Sequence, residues 1–142
     1  MQLNLHDLQQ IPVNINPLQQ VADYTAQHVE LAVDNVSLIL VDNEEIQRLN
    51  RLFRGFDKPT DVLTFECDEE EEGIAGEIMI SVEMAVSQAA QAGHDTASEL
   101  AWLVSHSILH LAGYDDETPE GLAEMIELQR VIMSALNIEV MA

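Results

Sequence analysis

Apolar and polar residues follow two different periods along the chain, and each period predicts one kind of element. Short apolar runs bounded by polar or turn residues are typical of β-strands. They predict four strands, at residues 3–6, 36–42, 61–67 and 76–82. Elsewhere apolar residues recur every three or four positions, which is the period of an α-helix with one buried face. These stretches predict five helices, at about 16–31, 43–54, 83–92, 96–112 and 119–136.

Helix caps and breakers support this division of the chain. Polar residues that can accept the first free N–H groups of a helix lie at four of the predicted starts, namely Asn16, Asp42, Thr96 and Thr118. Gly93 and Gly113 end two helices, because glycine readily takes the left-handed backbone that closes them. The second helix is expected to turn one apolar face to the core, formed by Ile46, Leu49, Leu52 and Phe53.

The intermixed strands and helices, with few parallel crossover units, predict an α+β or three-layer α/β fold, with a small mixed β-sheet and about five helices. The 142 residues, 47% of them hydrophobic, suffice for one core, and we expect a single domain over residues 1–142. No apolar run approaches the roughly 20 residues of a membrane span, and the N-terminus lacks a secretory signal. These features predict a soluble cytoplasmic protein.

The chain is strongly acidic, with 26 acidic and 5 basic residues and a formal net charge of −21. Such a charge repels nucleic acid and anionic membranes at long range, which by itself argues against an RNA partner. Four of the five basic residues, however, fall between positions 48 and 58. They either carry a function or simply solvate a helix and the loop after it. The acidic run at 68–72 is expected to be a solvated loop.

The stretch HSILHLAGYDD near the C-terminus has the spacing of a metal site. On a helix, His106 and His110 stand one turn apart on the same face, so two imidazoles can converge on one ion. Gly113 turns the chain back toward them, and Asp115 or Asp116 then adds a carboxylate. Three protein ligands with an open fourth position are typical of a hydrolytic zinc site. Two histidines alone on an apolar helix would more often be core residues.

A zinc peptidase is the weaker interpretation of this pattern. Peptidases of the H-E-x-x-H type carry their general base directly after the first histidine, where this chain has Ser107. A serine supplies no carboxylate to accept a proton, so peptidase activity is kept only as an alternative.

Three stretches of the sequence are similar to motifs of one known family. Residues 106–116 resemble the pattern H-G-x-L-H-L-x-G-Y-D-H, residues 54–65 resemble R-G-x-x-x-P-T-[D/N]-V-L-S-F, and residues 76–81 resemble G-D-I-x-I-S. Through these motifs the chain resembles the bacterial YbeY family of rRNA maturation factors, which are single-domain metal-dependent endoribonucleases. The motifs stand in the family's order, and the resemblance covers nearly the whole chain.

The resemblance implies a zincin-like α+β fold, one zinc ion per chain, and action on single-stranded RNA in 16S rRNA 3′-end maturation and ribosome quality control. The implied partners are the small ribosomal subunit and a ribosome-associated protein, with no DNA and no membrane. By position, His106, His110 and Asp116 are the metal ligands, and Arg54 is the family's functional arginine. Arg54 also lies at the centre of the basic cluster that composition alone reveals.

The sequence departs from the family pattern at four positions. Asp116 replaces a third histidine, Ser107 a glycine, Thr64 a serine and Glu66 a proline. Only Asp116 concerns the metal: a carboxylate leaves the ion a weaker Lewis acid, and two histidines with a carboxylate also suit other divalent metals. A disabled site is the third outcome, and it would make the protein a non-catalytic ribosome-assembly module.

Metal-assisted cleavage of a phosphodiester is the expected reaction. Arg54 would neutralise the phosphate, since its planar guanidinium can bind two oxygens at once. Arg51 and Lys58 are expected to extend the RNA-binding track, although Arg51 would equally suit a solvent-facing position on its helix. Asp115 is the candidate catalytic residue that orients water, because Asp116 is the ligand. The negative charge of the chain predicts weak, strongly salt-dependent RNA binding.

Overall fold

The structure is a computed structural model that describes residues 1–67 and 74–140. Along the chain the elements are β1 (Gln2–Asp7), α1 (Ile15–His28), β2 (Asn35–Val41), α2 (Asn43–Arg54), β3 (Val62–Glu66), β4 (Ile74–Ser81), α3 (Val82–Ala92), α4 (Thr96–Leu111) and α5 (Pro119–Ala135). This α+β arrangement confirms the predicted fold class. The acidic run at 68–72 lies outside the described residues. None of the described helices is long and apolar enough to cross a membrane.

The four strands form one mixed sheet in the order β1-β2-β4-β3. β1 pairs with β2 and β2 pairs with β4 in parallel, whereas β3 lies antiparallel to β4 at the edge. Val62 is opposite Ile80 and Glu66 is opposite Gly76 in this last pair. The edge strand β3 therefore leaves one side open toward the functional site.

The sheet is covered on both faces, because its central strands are apolar on both sides. One face joins α1, α3, α4 and α5 in the larger core, whose sheet residues include Leu38, Leu40, Ile78 and Ile80. The opposite face packs against α2 in a smaller core of Val41, Ile46, Leu49 and Leu63. Alternate residues of β2 and β4 thus point into different cores, as the two-residue period of a strand requires.

Helix α4 is the central helix of the molecule. It packs against α1, α3 and α5 and against strands β3 and β4. Ten of its 16 residues are buried, so the helix is held on most sides. Side chains near its C-terminal end are therefore carried by a rigid element, which suits a site that needs fixed geometry.

The first helix begins and ends earlier than predicted. Asn14, not Asn16, is the N-cap of α1: its side chain accepts a hydrogen bond from the N–H of Asn16 at 3.2 Å. The helix ends at His28, because Glu30 takes a left-handed backbone (φ 56°) and the N–H of Leu31 returns to the carbonyl five residues earlier. Two asparagines that cap equally well stand two residues apart, and the sequence pattern does not rank them.

The N-cap of α4 is Asp95, and the prediction of Thr96 was wrong by one residue. The Asp95 carboxylate accepts a hydrogen bond from the N–H of Ser98 at 2.8 Å. The Glu99 carboxylate in the first turn pairs with His94 at 2.6 Å. An aspartate is at least as good a cap as a threonine, which explains the shift.

The apolar face predicted for α2 is only half correct. Ile46 and Leu49 are buried in the smaller core, but 64% of the Leu52 surface and 60% of the Phe53 surface are exposed. Both lie in the last turn of α2, where Phe53 meets the edge strand β3 at Phe65 but stays largely exposed. A helical period alone cannot show where the partner surface ends.

Candidate metal centre

Helix α4 brings two histidines to its last turns and then closes in a way that returns the chain to them. His106 and His110 lie one turn apart, with ring centroids separated by 4.6 Å. Gly113 takes a left-handed backbone (φ 99°), and the N–H groups of Gly113 and Tyr114 bond to carbonyls of the last turn at 3.0 Å each. This is a Schellman closure, which glycine favours because it has no Cβ to clash. The next residues then turn back, and Asp116 faces the histidines.

Three potential ligand atoms converge at this point. The Nε2 atoms of His106 and His110 are 3.0 Å apart, and Asp116 Oδ2 lies 3.2 Å and 3.4 Å from them, respectively. Ligands bound at about 2.0–2.2 Å to a tetrahedral zinc lie about 3.3–3.6 Å from one another, close to the spacing seen. The group can therefore hold a metal ion. The choice between Asp115 and Asp116, which the spacing left open, falls geometrically on Asp116.

A buried glutamine behind the site orients His106. Gln129 is fully buried, and its Nε2 donates to the carbonyl oxygen of Trp102 at 3.0 Å. That bond fixes the amide, because a carbonyl only accepts, and it leaves the Gln129 Oε1 facing His106 Nδ1 at 3.2 Å. In neutral His106 the proton is therefore on Nδ1, and the lone pair of Nε2 points toward His110 and Asp116, as a metal ligand requires.

The group opens into a cleft of about 510 Å³ between the end of α4, the loop after it and strand β3. The described lining residues include five carboxylates and one guanidinium: Asp61, Glu66, Asp115, Asp116 and Glu117, with Arg54. So many carboxylates around one cleft would repel an anionic substrate unless a bound cation offset them. The donor set and the surrounding charge thus both suit a divalent ion.

Arg54 is tied to the metal helix through strand β3. Its guanidinium lies 3.5 Å from the carbonyl oxygen of Thr64, to which it donates, and 5.8 Å from the ring centroid of Phe65. The hydroxyl of Thr64 donates to the hydroxyl of fully buried Ser107, at 3.0 Å, on α4. Two of the departures from the family pattern, Thr64 and Ser107, therefore contact each other. Through this contact, strand β3, to which Arg54 donates, is connected to helix α4, which carries the histidines.

Asp115 lies at the rim of the same cleft, with an exposed side chain. Its carboxylate accepts a hydrogen bond from the N–H of Glu117 at 2.7 Å, which stabilises the loop after α4. Its carbonyl oxygen lies against the first turn of α5 at Gly121. Asp115 is thus near the metal group but does not belong to it.

The rest of the basic cluster is distributed differently from the prediction. Within the described chain, neither Arg51 nor Lys58 lines the cleft that holds the histidines. Arg51 lies 3.8 Å from the Asp57 carboxylate, and the Lys58 ammonium lies over the ring of Phe56 at 5.8 Å. Both side chains are exposed, so their predicted part in RNA binding stays a prediction.

Arg48 is the furthest of the cluster from a binding role. It forms an ion pair with Glu45 within α2, and the hydrogen bond from Arg48 lowers the pKa of the Glu45 carboxyl. This (i, i+3) pair offsets the charge of Arg48 within its own helix.

Sequence reasoning missed Gln129, although a signal for it exists. Gln129 falls on the buried stripe of α5 together with Met125, Ile132 and Met133. A single polar residue on such a stripe needs a buried partner, because an unpaired amide in a core is costly. Only the fold shows that the partner is a histidine 23 positions earlier.

A mixed α+β fold that carries a His-His-carboxylate group and an arginine in one cleft defines the class of candidate metallohydrolases. Comparison with known proteins narrows this class. The profile of the family described as "Endoribonuclease YbeY" matches residues 6–137. The chain belongs to this family, which confirms the resemblance seen in the motifs.

Individual relatives agree over most of their length. Endoribonuclease YbeY of Thermoanaerobacter sp. (strain X514) is 42% identical over 143 aligned positions, which cover 89% of this chain and 90% of that protein. Endoribonuclease YbeY of Lactiplantibacillus plantarum is 38% identical, covering 90% and 91% of the two chains. The solution structure of TM1509 from Thermotoga maritima superposes with a TM-score of 0.64 at 29% identity, covering 96% of this chain and 92% of that one.

Proposed function

We propose that this protein is a metal-dependent endoribonuclease that cleaves single-stranded RNA in 16S rRNA 3′-end maturation and ribosome quality control. The carrying observation is that the His106–His110–Asp116 group and Arg54 line one cleft. Membership of the endoribonuclease YbeY family supplies the substrate class. The small ribosomal subunit and a ribosome-associated protein are the proposed partners in the cell.

The proposed ion is zinc, one per chain, held by the two histidines and Asp116. When bound, it would supply a Lewis acid next to the scissile phosphate. Because Asp116 brings a negative charge where a histidine brings none, the site favours the divalent state of several metals, and manganese or iron are the main competitors of zinc. The spacing of 3.0–3.4 Å between the three ligand atoms supports a compact ion of this kind.

Two further side chains are proposed to act on the substrate. Arg54 binds the non-bridging phosphate oxygens with its planar guanidinium and offsets the charge that develops on them. Asp115 orients the attacking water or 2′-hydroxyl and accepts its proton, since it lines the cleft without belonging to the metal group. Arg51 and Lys58 are exposed and do not line the cleft, and they are proposed to meet the RNA outside it.

The two alternative functions have less support. A non-catalytic assembly module would be favoured by an Asp116 turned away from the histidines, whereas its Oδ2 lies within 3.4 Å of both. A peptidase would need a base after the first histidine, and Ser107 is fully buried and bonded to Thr64 instead.

The first test is the metal content of tag-free protein, measured by elemental mass spectrometry. We expect close to one ion per chain in the wild type, a sharp loss in Asp116→Ala and retention in Asp116→His, which restores the family's pattern. A metal content that Asp116→Ala leaves unchanged, or no metal in any variant after zinc is offered, would contradict the proposed site.

The second arm of this test measures cleavage of a fluorescent single-stranded RNA by the metal-loaded protein. Arg54→Lys should keep the metal and lose most of the cleavage, since a lysine cannot bind two phosphate oxygens at once. A duplex of the same RNA serves as the control for strand preference. Full activity of Arg54→Lys would refute the role proposed for Arg54.

A further inference from the structure

The end of α2 and the loop after it expose a contiguous set of large apolar side chains. The exposed fractions are 64% for Leu52, 60% for Phe53 and 57% for Phe56. Single exposed apolar residues need no explanation, but neighbouring ones usually mark a binding surface. This chain has three phenylalanines, and two of them, Phe53 and Phe56, are exposed within four consecutive positions.

These rings are interleaved with cations. Phe53 packs edge-on against Phe65, with ring centroids 5.4 Å apart. The Arg54 guanidinium lies 5.8 Å from the Phe65 centroid, and the Lys58 ammonium lies 5.8 Å from the Phe56 centroid. We call these five residues the aromatic–basic patch.

The patch is continuous with the metal cleft. Arg54 belongs to both, and Thr64 and Glu66, the neighbours of Phe65 in β3, line the cleft. Alternate residues of a strand point to opposite sides, so Phe65 and Phe53 form the outer side of the wall whose inner side faces the histidines. A polymer that leaves the cleft past Arg54 therefore meets the patch next.

We propose that the aromatic–basic patch is a base-stacking subsite for the single-stranded RNA that leaves the metal cleft, a role that rests on the proposed endoribonuclease function. Unpaired bases stack on Phe53 and Phe56, while Arg54 and Lys58 meet the phosphates between them. Aromatic rings alternating with cations are the usual surface for unpaired nucleotides.

The net charge of the chain favours a subsite that binds single-stranded RNA by stacking. A protein of net charge −21 gains little from long-range attraction to RNA, so it needs contacts that do not depend on charge. Stacking is such a contact. Protein–protein interfaces are typically depleted of lysine, whereas here a lysine lies over Phe56.

The test compares Phe53→Leu/Phe56→Leu with the wild type in binding a fluorescent single-stranded RNA. Stopped-flow anisotropy with the metal-loaded protein reads binding before cleavage, and a gel then reads cleavage of the same RNA. Leucine keeps the apolar surface but cannot stack, so we expect Kd and KM to rise about tenfold or more with kcat retained. Phe53→Trp/Phe56→Trp should restore binding, and Val131→Ala, at an apolar position on α5 that is 42% exposed, should change nothing.

Salt titration separates stacking from charge. The leucine variant should keep the wild-type slope of log Kd against log salt, whereas Lys58→Ala should make it shallower by about 0.7. Unchanged binding by the leucine variant would overturn the subsite and leave the patch for a protein partner. Weaker binding by the leucine variant in a protein that does not cleave RNA would retain the subsite and reject the proposed activity. A wild type that neither binds nor cleaves would reject both.

Discussion

Gln129 orients the His106 ring from outside the metal group, through the contact between its Oε1 and His106 Nδ1. Its amide is held by the Trp102 carbonyl and the Ser105 hydroxyl, at 3.0 Å and 3.5 Å. Ser105 in turn donates to the same carbonyl at 2.9 Å. A metal-bound histidine is normally oriented by such a partner on its other nitrogen, and here the partner is neutral rather than a carboxylate. Gln129 is therefore a positioning residue, not a ligand.

Replacing Gln129 by methionine should weaken metal binding while keeping the core filled. The side chains are similar in length, but the methionine sulfur is only a weak acceptor for the Nδ1–H of His106. We therefore expect zinc affinity to fall by about 10- to 100-fold. Competition with a chromophoric chelator measures this directly, without RNA. Met133→Leu, a buried change on the same helix, is the matched control and should keep the affinity. Equal zinc affinity in Gln129→Met and wild type would show that Gln129 only fills space.

At the scale of elements, the loop between α4 and α5, which carries Asp115 and Asp116, is held between two helix ends. The C-terminal end of α4 supplies the histidines, and the first turn of α5 packs against the loop after them. A Cβ at Gly121 would lie 2.2 Å from the carbonyl oxygen of Asp115 and 3.0 Å from the Thr118 hydroxyl. Backbone occupies that space, so the loop and α5 approach each other only because residue 121 is glycine.

Gly121→Ala should therefore destabilise the protein, against the usual trend. In an open helix the same change stabilises by about 1 kcal/mol. Here the new methyl group must push the loop away, and since Asp116 follows Asp115, zinc affinity should also fall. Thermal unfolding with and without zinc measures both effects. A higher melting temperature in Gly121→Ala would show that the loop yields easily and does not position Asp116.

The cap of α4 makes the stability of the metal helix depend on pH. The backbone and side-chain hydrogen bonds from Ser98 lower the pKa of the Asp95 carboxyl below its ordinary value of about 4. A lowered pKa means that the ionised cap stabilises the folded state at pH values above about 4. The contribution is lost as the pH falls through the folded-state pKa.

Asp95→Ala should cost about 1 kcal/mol at pH 7, the usual loss for an N-cap. The gap in unfolding free energy between this variant and the wild type should shrink as the pH falls below about 4, the ordinary Asp value. The unfolded chain then takes up protons while the lowered pKa keeps the folded cap ionised until a lower pH. Urea unfolding at each pH measures the gap. Asp95→Asn caps without ionising, so the difference in unfolding free energy between Asp95→Asn and Asp95→Ala should not change with pH. A wild-type advantage that grows on acidification would contradict the assigned cap.

At the scale of the whole molecule, the fold has to withstand its own charge. The net charge of −21 opposes compaction. Of the described residues, five carboxylates, Asp116 of the metal group among them, line the same cleft. The basic residues relieve little of this repulsion. Arg48 and Arg51 are paired locally with Glu45 and Asp57.

Added sodium chloride should therefore stabilise the protein at pH 7. The Debye length falls from about 10 Å at 0.1 M salt to about 3 Å at 1 M, which screens the repulsion between carboxylates. We expect the melting temperature to rise steadily over this range, measured in the presence of a chelator so that trace metals do not contribute. The same chelator-containing buffer at low salt gives the baseline. A melting temperature that falls as salt is added would show that favourable ion pairs outweigh the repulsion.

The same charge balance makes the prediction about RNA quantitative. The net charge of −21 predicts weak, strongly salt-dependent binding. With Arg51, Arg54 and Lys58 as the proposed contacts, about three phosphates are neutralised, and the slope of log affinity against log salt should be about −2.

The sequence by itself determined the elements and most of the candidate ligand set. Strand and helix periods are local properties, so the four strands and five helices among the described residues follow from them. The candidate ligands lie within eleven consecutive positions, and helix geometry together with the turn at Gly113 predicts that His106, His110 and one of two aspartates converge. Which aspartate faces the histidines depended on the tertiary structure, because α5 packs against the loop at Gly121.

Only the tertiary structure decided what surrounds the ligands. Gln129 reaches His106 across 23 positions and Thr64 reaches Ser107 across 43, and no local period encodes such contacts. The exposure of Phe53 also depended on which segments pack over the last turn of α2, which an amphipathic pattern does not reveal. Contacts between distant segments arise from packing, and packing depends on the shape of the whole core rather than on any one stretch of sequence.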